Sequence, residues 1–382
     1  MRTLQIVPAM EQGGVERGVV EMNGVLTAAG HDNVVVSVGG RLVEKIVAAG
    51  GRHVELDVKS KNPLSYFSRA RKLKVILEAE RPDVVVAHSR VPAWLFKWAN
   101  RGLGLKWITF AHGANSISRY SRVMTEGDVT VTPSRFLADY LKNAYGIAEA
   151  KIRVIPRAID AERFDPVKLD RDFIEAKRAE WQLDGRKVVM ALGRITQLKG
   201  LDVLIRAVAI LKLASLRVCE LASCPKLVIV GEAEAKRRDV ERNLRALVAE
   251  LGLDGDVVFA GNQQKVAECL SLADVVASAN TKKPEAFGRS MAEALAMNKP
   301  VVATAFGGAL DIVEDGTNGF LVPPEAATPE AFADALARAL RADFGDIRTS
   351  ALGKFSFARM AAASLAVYEE VFQMRCRAAE SL

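Results

Sequence analysis

The sequence predicts an α/β protein made of two doubly wound domains. Three observations lead there: short apolar runs rich in β-branched residues, helical segments between them, and two such series of similar length. The chain has 382 residues, more than one hydrophobic core usually serves. Half of them are apolar and 26% are charged, an ordinary globular balance that leaves a sizeable core for each half.

In the first half the apolar runs are Leu4–Val7, Val34–Val38, His53–Val58, Val84–Ala87, Trp107–Ala111, Val129–Thr132 and Arg153–Ile155. They are continuous rather than alternating, which marks parallel strands covered on both faces. Glu16–Ala29, Tyr66–Glu80 and Ser134–Ala144 read as intervening helices, with Ser134 placed to cap the last of these. In the second half the strands are Val188–Ala191, Leu227–Val230, Val257–Ala260, Val275–Ala277, Val301–Ala303 and Phe320–Val322. Leu201–Leu213, Ala235–Leu251, Val266–Leu272 and Gly288–Ala296 read as helices. The polar stretch Ile159–Leu183, with Pro166, marks the join, and Phe355–Arg375 reads as a terminal helix. The expected division is 1–165, 166–354 and a tail 355–382 that crosses back to the first domain.

The net charge of +7 is unevenly placed. Residues 1–165 hold 24 Lys and Arg against 17 Asp and Glu, whereas residues 166–382 hold 29 of each. A basic first half suits an acidic partner: a membrane surface, a phosphorylated acceptor or a nucleic acid. No nucleic-acid module is recognisable, so nucleic acid is not expected. Cys219, Cys224, Cys269 and Cys376 form no Cys-x-x-Cys pair and no His cluster accompanies them. They read as buried or incidental thiols in a reducing compartment, not as a zinc site. The start runs directly into a strand, without the basic-then-apolar layout of a signal peptide, and no apolar run is long enough to span a bilayer. The expected location is cytoplasmic, with at most a peripheral contact on the inner face of the cytoplasmic membrane.

Open parallel sheets bind ligands beyond the carboxyl ends of their strands. The polar motifs stand at those ends. Gly13-Gly14-Val15-Glu16-Arg17 follows the first strand and opens a helix, where glycines permit close approach and the helix start favours an anion. It is not the dinucleotide fingerprint Gly-x-Gly-x-x-Gly. His88 follows the fourth strand, and His112, beside Gly113, follows the fifth. Gly193-Arg194 through Lys199-Gly200 follows the first strand of the second half and sets a planar fork and a compact charge on one short loop. Glu285 precedes a helix that starts at Gly288-Arg289-Ser290, and Glu293 lies inside it as a buried carboxylate in need of a partner. A sugar hydroxyl would serve as that partner, and the helix start would offer amides to a phosphate.

In this order the motifs resemble the retaining GT-B glycosyltransferases of family 4. The likeness runs along nearly the whole chain, through Val230-Gly231-Glu232, Gly307-Gly308 before Asp311, and Asp315-Gly316-Thr317-Asn318-Gly319. It implies two Rossmann-like domains facing across a cleft: an acceptor-side domain first, and a nucleotide-sugar domain second. Arg194 and Lys199 would hold the donor diphosphate. Glu285 would hold hydroxyls of the transferred sugar, and His112 would touch that sugar near its reacting carbon. Glu293 would bind the ribose. Gly13, Gly14, Gly193, Glu232, Phe287, Gly288, Arg289 and Ser290 would complete the donor contacts. The resemblance implies no cofactor and no metal, a UDP- or GDP-linked sugar as donor, and a glycan or glycolipid acceptor in cell-envelope polysaccharide or lipopolysaccharide synthesis.

Two departures stand out. Arg157-Ala158 occupies the place where Asn-Gly is more usual, and Lys212–Pro225 is longer than expected between a helix and a strand. On the acceptor side, Lys59–Lys74 contains six basic residues and no acid, with Tyr66 and Phe67 among them. Together with Trp94, Phe96, Trp98, Trp107, Lys97, Arg101 and Lys106 it fits a peripheral contact with an anionic membrane. The rival readings are a nucleotide-sugar epimerase or sugar phosphorylase on the same fold, and a non-catalytic nucleotide-binding protein.

Overall fold

A computed structural model describes residues 1–11, 13–217 and 224–380. Each apolar run named above is a strand. The first seven are β1 (Arg2–Ile6), β2 (Asp32–Ser37), β3 (Arg52–Glu55), β4 (Val84–Ala87), β5 (Trp107–Phe110), β6 (Val129–Thr132) and β7 (Ile152–Val154). They form one parallel sheet in the order β3-β2-β1-β4-β5-β6-β7. The next six are β8 (Val188–Leu192), β9 (Lys226–Val230), β10 (Val257–Gly261), β11 (Val275–Ser278), β12 (Val301–Thr304) and β13 (Gly319–Val322). They form a second parallel sheet in the order β10-β9-β8-β11-β12-β13. Both orders reverse direction beside the first strand of the series, at β1/β4 and at β8/β11. That reversal is where a doubly wound sheet opens a crevice for a ligand.

The chain divides into two compact units, Met1–Arg157 with Ala358–Leu382, and Ala158–Phe357. The break falls before the polar stretch at 159–183. Ile159 already pairs with Ser356, and its amide donates to Phe355 O at 2.8 Å. The stretch itself holds a helix, Arg171–Glu180, capped by Asp170 Oδ1 on Phe173 N at 3.0 Å. Its polar face gives it the composition of a linker, while Phe173 and Ile174 pack on the second unit's core. Ser134 caps the helix Arg135–Tyr145 through Leu137 N at 3.2 Å.

In the first unit the helix Phe357–Glu380 lays Val367, Tyr368 and Val371 against a core that includes Leu26, Val86, Val129 and Ile155. Two ion pairs hold it there, Arg153–Glu370 at 2.6 Å and Arg375–Asp83 at 2.5 Å. In the second unit two cores flank the sheet, one around Met190, Met291 and Leu295, the other around Leu204, Leu244 and Phe332. Cys269 is buried and Cys224 and Cys376 are partly buried, all as free thiols. Burial pushes Cys269 up to about 12 and Cys224 up to about 11. Cys219 lies outside the described residues, as do the other positions of 218–223. The long 212–225 segment is therefore seen only at its ends, where the helix Leu201–Arg217 enters it and Lys212 pairs with Asp256 at 2.8 Å.

Candidate active site

In the second unit the candidate site lies at the β8/β11 reversal. Gly193, Arg194 and Lys199 occupy the loop after β8, and Asn280 and Glu285 the loop after β11. Lys199 Nζ reaches Glu285 Oε2 at 2.9 Å and Oε1 at 3.4 Å, joining the two loops. Asn280 Nδ2 donates to the same Oε2 at 2.6 Å. Gly200, at φ 59°, presses so close to the second loop that a Cβ would stand 1.9 Å from Ala279 O. Only glycine satisfies both demands. Glu285 is fixed again from the far side, where it bridges Gly307 and its carbonyl accepts from Gly308 N at 2.7 Å.

The remaining groups surround this core unevenly. Arg194 is exposed and pairs with Glu234 at 2.5 Å, not with Glu285. Glu232 is exposed and accepts from Asn262 N at 3.2 Å, which ties the loops after β9 and β10 together. Phe287 sends its ring into the core against Phe355, centroids 5.5 Å apart, so its main chain, not its ring, is what it could offer a ligand. Gly288 caps the helix Arg289–Ala296 at φ 101°, with Ser290 in its first turn. The sequence expectation of a buried Glu293 needs correction: its helix face is only half-covered. Among the described residues four buried polar atoms have no protein partner: Trp181 Nε1 in the core, and Asn280 Oδ1, Thr304 Oγ1 at the end of β12 and Arg289 Nη2. Buried, unpaired polar groups are costly, and a ligand that supplied partners would relieve that cost.

In the first unit Gly13 caps the helix Gly14–Ala28 without a side-chain bond. Glu16 folds back over this start, its Oε2 2.3 Å from where a Gly13 Cβ would stand. An anion arriving there must displace that carboxylate. His88 and His112 follow the adjacent strands β4 and β5, and their rings lie edge to edge, 8° from parallel with centroids 5.3 Å apart. His88 Nδ1 meets His112 Nε2 at 3.1 Å, His88 Nε2 meets Gln5 Oε1 at 3.0 Å, and Arg157 Nη2 meets His112 Nδ1 at 2.6 Å. The chain of bonds continues inward. Gln5 Nε2 donates to Asn33 Oδ1 at 3.3 Å, Asn33 Nδ2 to Asn23 Oδ1 at 2.8 Å, and Asn23 Nδ2 to Ile46 O at 3.1 Å. Burial, then the Arg157 charge, pushes His88 down to about 3; the same causes and His88 hold His112 well below the ordinary imidazole range. Gln5, Asn23 and Asn33 were not foreseen, although a glutamine inside the apolar run at Leu4–Val7 is a visible signal.

The basic, aromatic segment is only partly a surface. Arg69 is buried, and its guanidinium donates to Ser60 O at 2.9 Å, Asn62 O at 3.1 Å and Asp57 O at 3.3 Å. It shapes the loop and is not available to a membrane, which corrects its inclusion in the patch. Phe96 and Trp107 are core. Trp94 and Trp98 stay partly exposed beside Phe67, which is 56% exposed, and Leu64, which is 92% exposed. Among the described residues no three His, Cys, Asp or Glu side chains gather as metal ligands would. No helix among them is long and apolar enough to cross a membrane.

The family model described as Glycosyltransferase Family 4 matches residues 12–163, and the model described as Glycosyl transferases group 1 matches residues 173–351. A glycosyltransferase structure from Rickettsia africae is 30% identical, with a TM-score of 0.85 over 97% of this chain and 98% of that one. The chain belongs to the family 4 glycosyltransferases. Its two parallel sheets are those of the GT-B fold. A D-inositol 3-phosphate glycosyltransferase of Stackebrandtia nassauensis is 37% identical over 53% of this glycosyltransferase chain and 44% of its own length. The chain spans 44% to 60% of the length of the first curated relatives it matches. Anabaena HepE, solved with UDP and glucose, shares the fold at 20% identity, with a TM-score of 0.77 over 97% of this chain and 99% of that one.

The buried chain from His88 to Ile46 yields a stability test. Gln5→Leu leaves His88 Nε2 without its partner, while Asn33 Oδ1 keeps the Thr3 hydroxyl at 2.7 Å. Urea unfolding should show a loss of about 1–3 kcal/mol; an unchanged midpoint would mean that the amide adds nothing.

Proposed function

We propose that the protein transfers a sugar, with retention of configuration, from a UDP- or GDP-linked donor to a glycan or glycolipid of the cell envelope. The observation that carries this reading is the Lys199–Glu285–Asn280 cluster at the reversal of the second sheet, with unpaired Asn280 Oδ1, Thr304 Oγ1 and Arg289 Nη2 nearby. A nucleotide sugar brings phosphates and hydroxyls that such groups need. In this account Lys199, Arg194 and the helix start at Gly288–Ser290 offset charge on the departing diphosphate. Arg194 is available because an exposed pair such as Arg194–Glu234 is worth only about 0–1 kcal/mol, and a diphosphate competes with it readily. Glu285 holds sugar hydroxyls, Glu293 the ribose, and Gly193, Glu232 and the Phe287 main chain the remainder. The acceptor hydroxyl attacks the anomeric carbon on the face the diphosphate leaves. The bond to phosphate oxygen breaks, and that oxygen takes the acceptor's proton. Gly13, Gly14 and His112 keep the roles that the family resemblance implies.

The acceptor reading draws on the basic excess of residues 1–165 and on the aromatic surface around Phe67 and Trp98. Lipopolysaccharide or a lipid-linked polysaccharide offers the anionic, amphipathic surface that these residues suit. A second reading has its own support: relatives up to 37% identical are named D-inositol 3-phosphate glycosyltransferases, and a phosphorylated cyclitol would also answer the basic first unit.

A panel of nucleotide sugars, read as nucleotide release with acceptor present, tests the activity. Turnover should survive excess chelator, because side chains and backbone amides are assigned to the diphosphate. Glu293→Ala should raise the donor KM roughly tenfold, and Glu285→Ala should lower kcat by roughly tenfold or more with a smaller effect on KM. Normal kinetics in both variants, or activity lost to chelator and restored by magnesium, would refute the assignment.

Vesicle sedimentation tests the membrane contact. Wild type should bind anionic vesicles at low salt and release as salt rises. Lys59, Lys61, Arg71 and Lys72 changed together to Ser, with Arg69 kept, should weaken that binding. Equal binding to neutral vesicles, or none at low salt, would leave the segment a solvated face.

A further inference from the structure

We propose that Arg157 is a positioning residue that holds His112, and through it His88, as neutral Nε2–H imidazoles, so that neither ring carries a proton in the transfer. The tautomers follow from geometry alone; the last clause rests on the sugar-transfer reading above.

The two ends of the chain of bonds differ in what they can donate and accept. A guanidinium only donates hydrogen bonds. Arg157 Nη2 stands 2.6 Å from His112 Nδ1, so that nitrogen must accept. A neutral imidazole has one donor and one acceptor, so the proton of His112 is on Nε2. It donates to His88 Nδ1 at 3.1 Å, which places the His88 proton on Nε2 as well, directed at Gln5 Oε1 at 3.0 Å. The inner end of the chain requires the same sense. Ile46 O only accepts, so Asn23 must present Nδ2 to it and Oδ1 to Asn33 Nδ2. Asn33 Oδ1 then faces Gln5 Nε2, and Gln5 Oε1 faces His88. A pure donor at one end and a pure acceptor at the other leave a single consistent direction through six side chains.

Protonating either ring breaks that direction. A proton on His112 Nδ1 would face the guanidinium, and one on His88 Nδ1 would face the His112 Nε2–H. The charges acting on the rings are Arg157 on both and His88 on His112, and burial disfavours a second proton in the same sense. The ring planes are held too. Phe110 stacks on His112 with centroids 4.5 Å apart and on His88 at 5.8 Å, and the Arg157 guanidinium lies 5.1 Å from the centre of the Phe110 ring. The first helix makes room for the arginine at Gly18, where a Cβ would stand 2.3 Å from Arg157 Nη1. This is the arginine that stands in place of the usual asparagine, so the device belongs to this chain's own sequence.

The test uses the full chain labelled with ¹⁵N-histidine and long-range proton–nitrogen correlation spectra, with His31→Gln and His53→Gln assigning the other two rings. In wild type His88 and His112 should both show Nε2–H and an unprotonated Nδ1, unchanged from about pH 6 to 9. Arg157→Lys, which keeps a donor, should preserve this pattern and most of the activity. Arg157→Met should leave a mixed or Nδ1–H tautomer at His112 and bring a ring titration into that range. Its kcat should fall roughly tenfold, with a new pH-dependent limb and little change in donor KM. An Nδ1–H His112 in wild type, or either ring titrating there, would overturn the proposal. Wild-type tautomers in Arg157→Met would overturn it too, and lost activity beside them would assign Arg157 to substrate contact. The spectra decide the tautomers even if no donor is turned over, so failure of the transfer reading remains a separate result.

Discussion

A parallel strand covered on both faces can offer chemistry only at its ends, and everything functional in this protein follows from that constraint. The sides of β1, β4, β8 and β11 are buried under apolar side chains. Polar groups are therefore gathered where the strands stop, and the two sheet orders both reverse at those strands. At β8/β11 the Lys199–Glu285 pair spans two loops that the sheet has already placed side by side. At β1/β4 the Gly13-Gly14 turn and His88 stand at neighbouring strand ends.

The two places differ in electrical character. Arg194 and Glu234 form an exposed ion pair that exchanges partners at low cost, and Lys199 and Glu285 a part-buried one. Beside them Arg289 begins its helix with a buried Nη2 that has no hydrogen-bond partner. The His88–His112 pair is instead neutral, coplanar and bonded at all four ring nitrogens. A group so committed contributes shape and fixed dipoles rather than proton transfer, which is the preorganised form of electrostatic stabilisation.

The fold was legible because continuous apolar runs leave few alternatives to buried parallel strands, and the motifs then fell at predictable strand ends. Ser134 was legible as a cap because its hydroxyl acts within three residues. What escaped was set by contacts distant in sequence. Composition cannot separate Arg69, whose fork gathers the carbonyls of its own loop, from the solvated Arg71 beside it. Arg171–Glu180 passed for a linker because one apolar edge, Phe173 and Ile174, carries its packing. The polar chain joins positions 157, 112, 88, 5, 33 and 23, which no local pattern connects. Phe96 and Trp107 divide from Trp94 and Trp98 only once the helix Arg90–Ala99 shows which face is covered.

The central claim is that sugar passes to the acceptor on the face the diphosphate leaves, with no separate base on the opposite side. Proton NMR of the first-formed product, taken before the anomers equilibrate, tests this most directly. The account predicts an anomeric signal with the donor's own configuration. An inverted signal would contradict it, even if every donor contact proved correct.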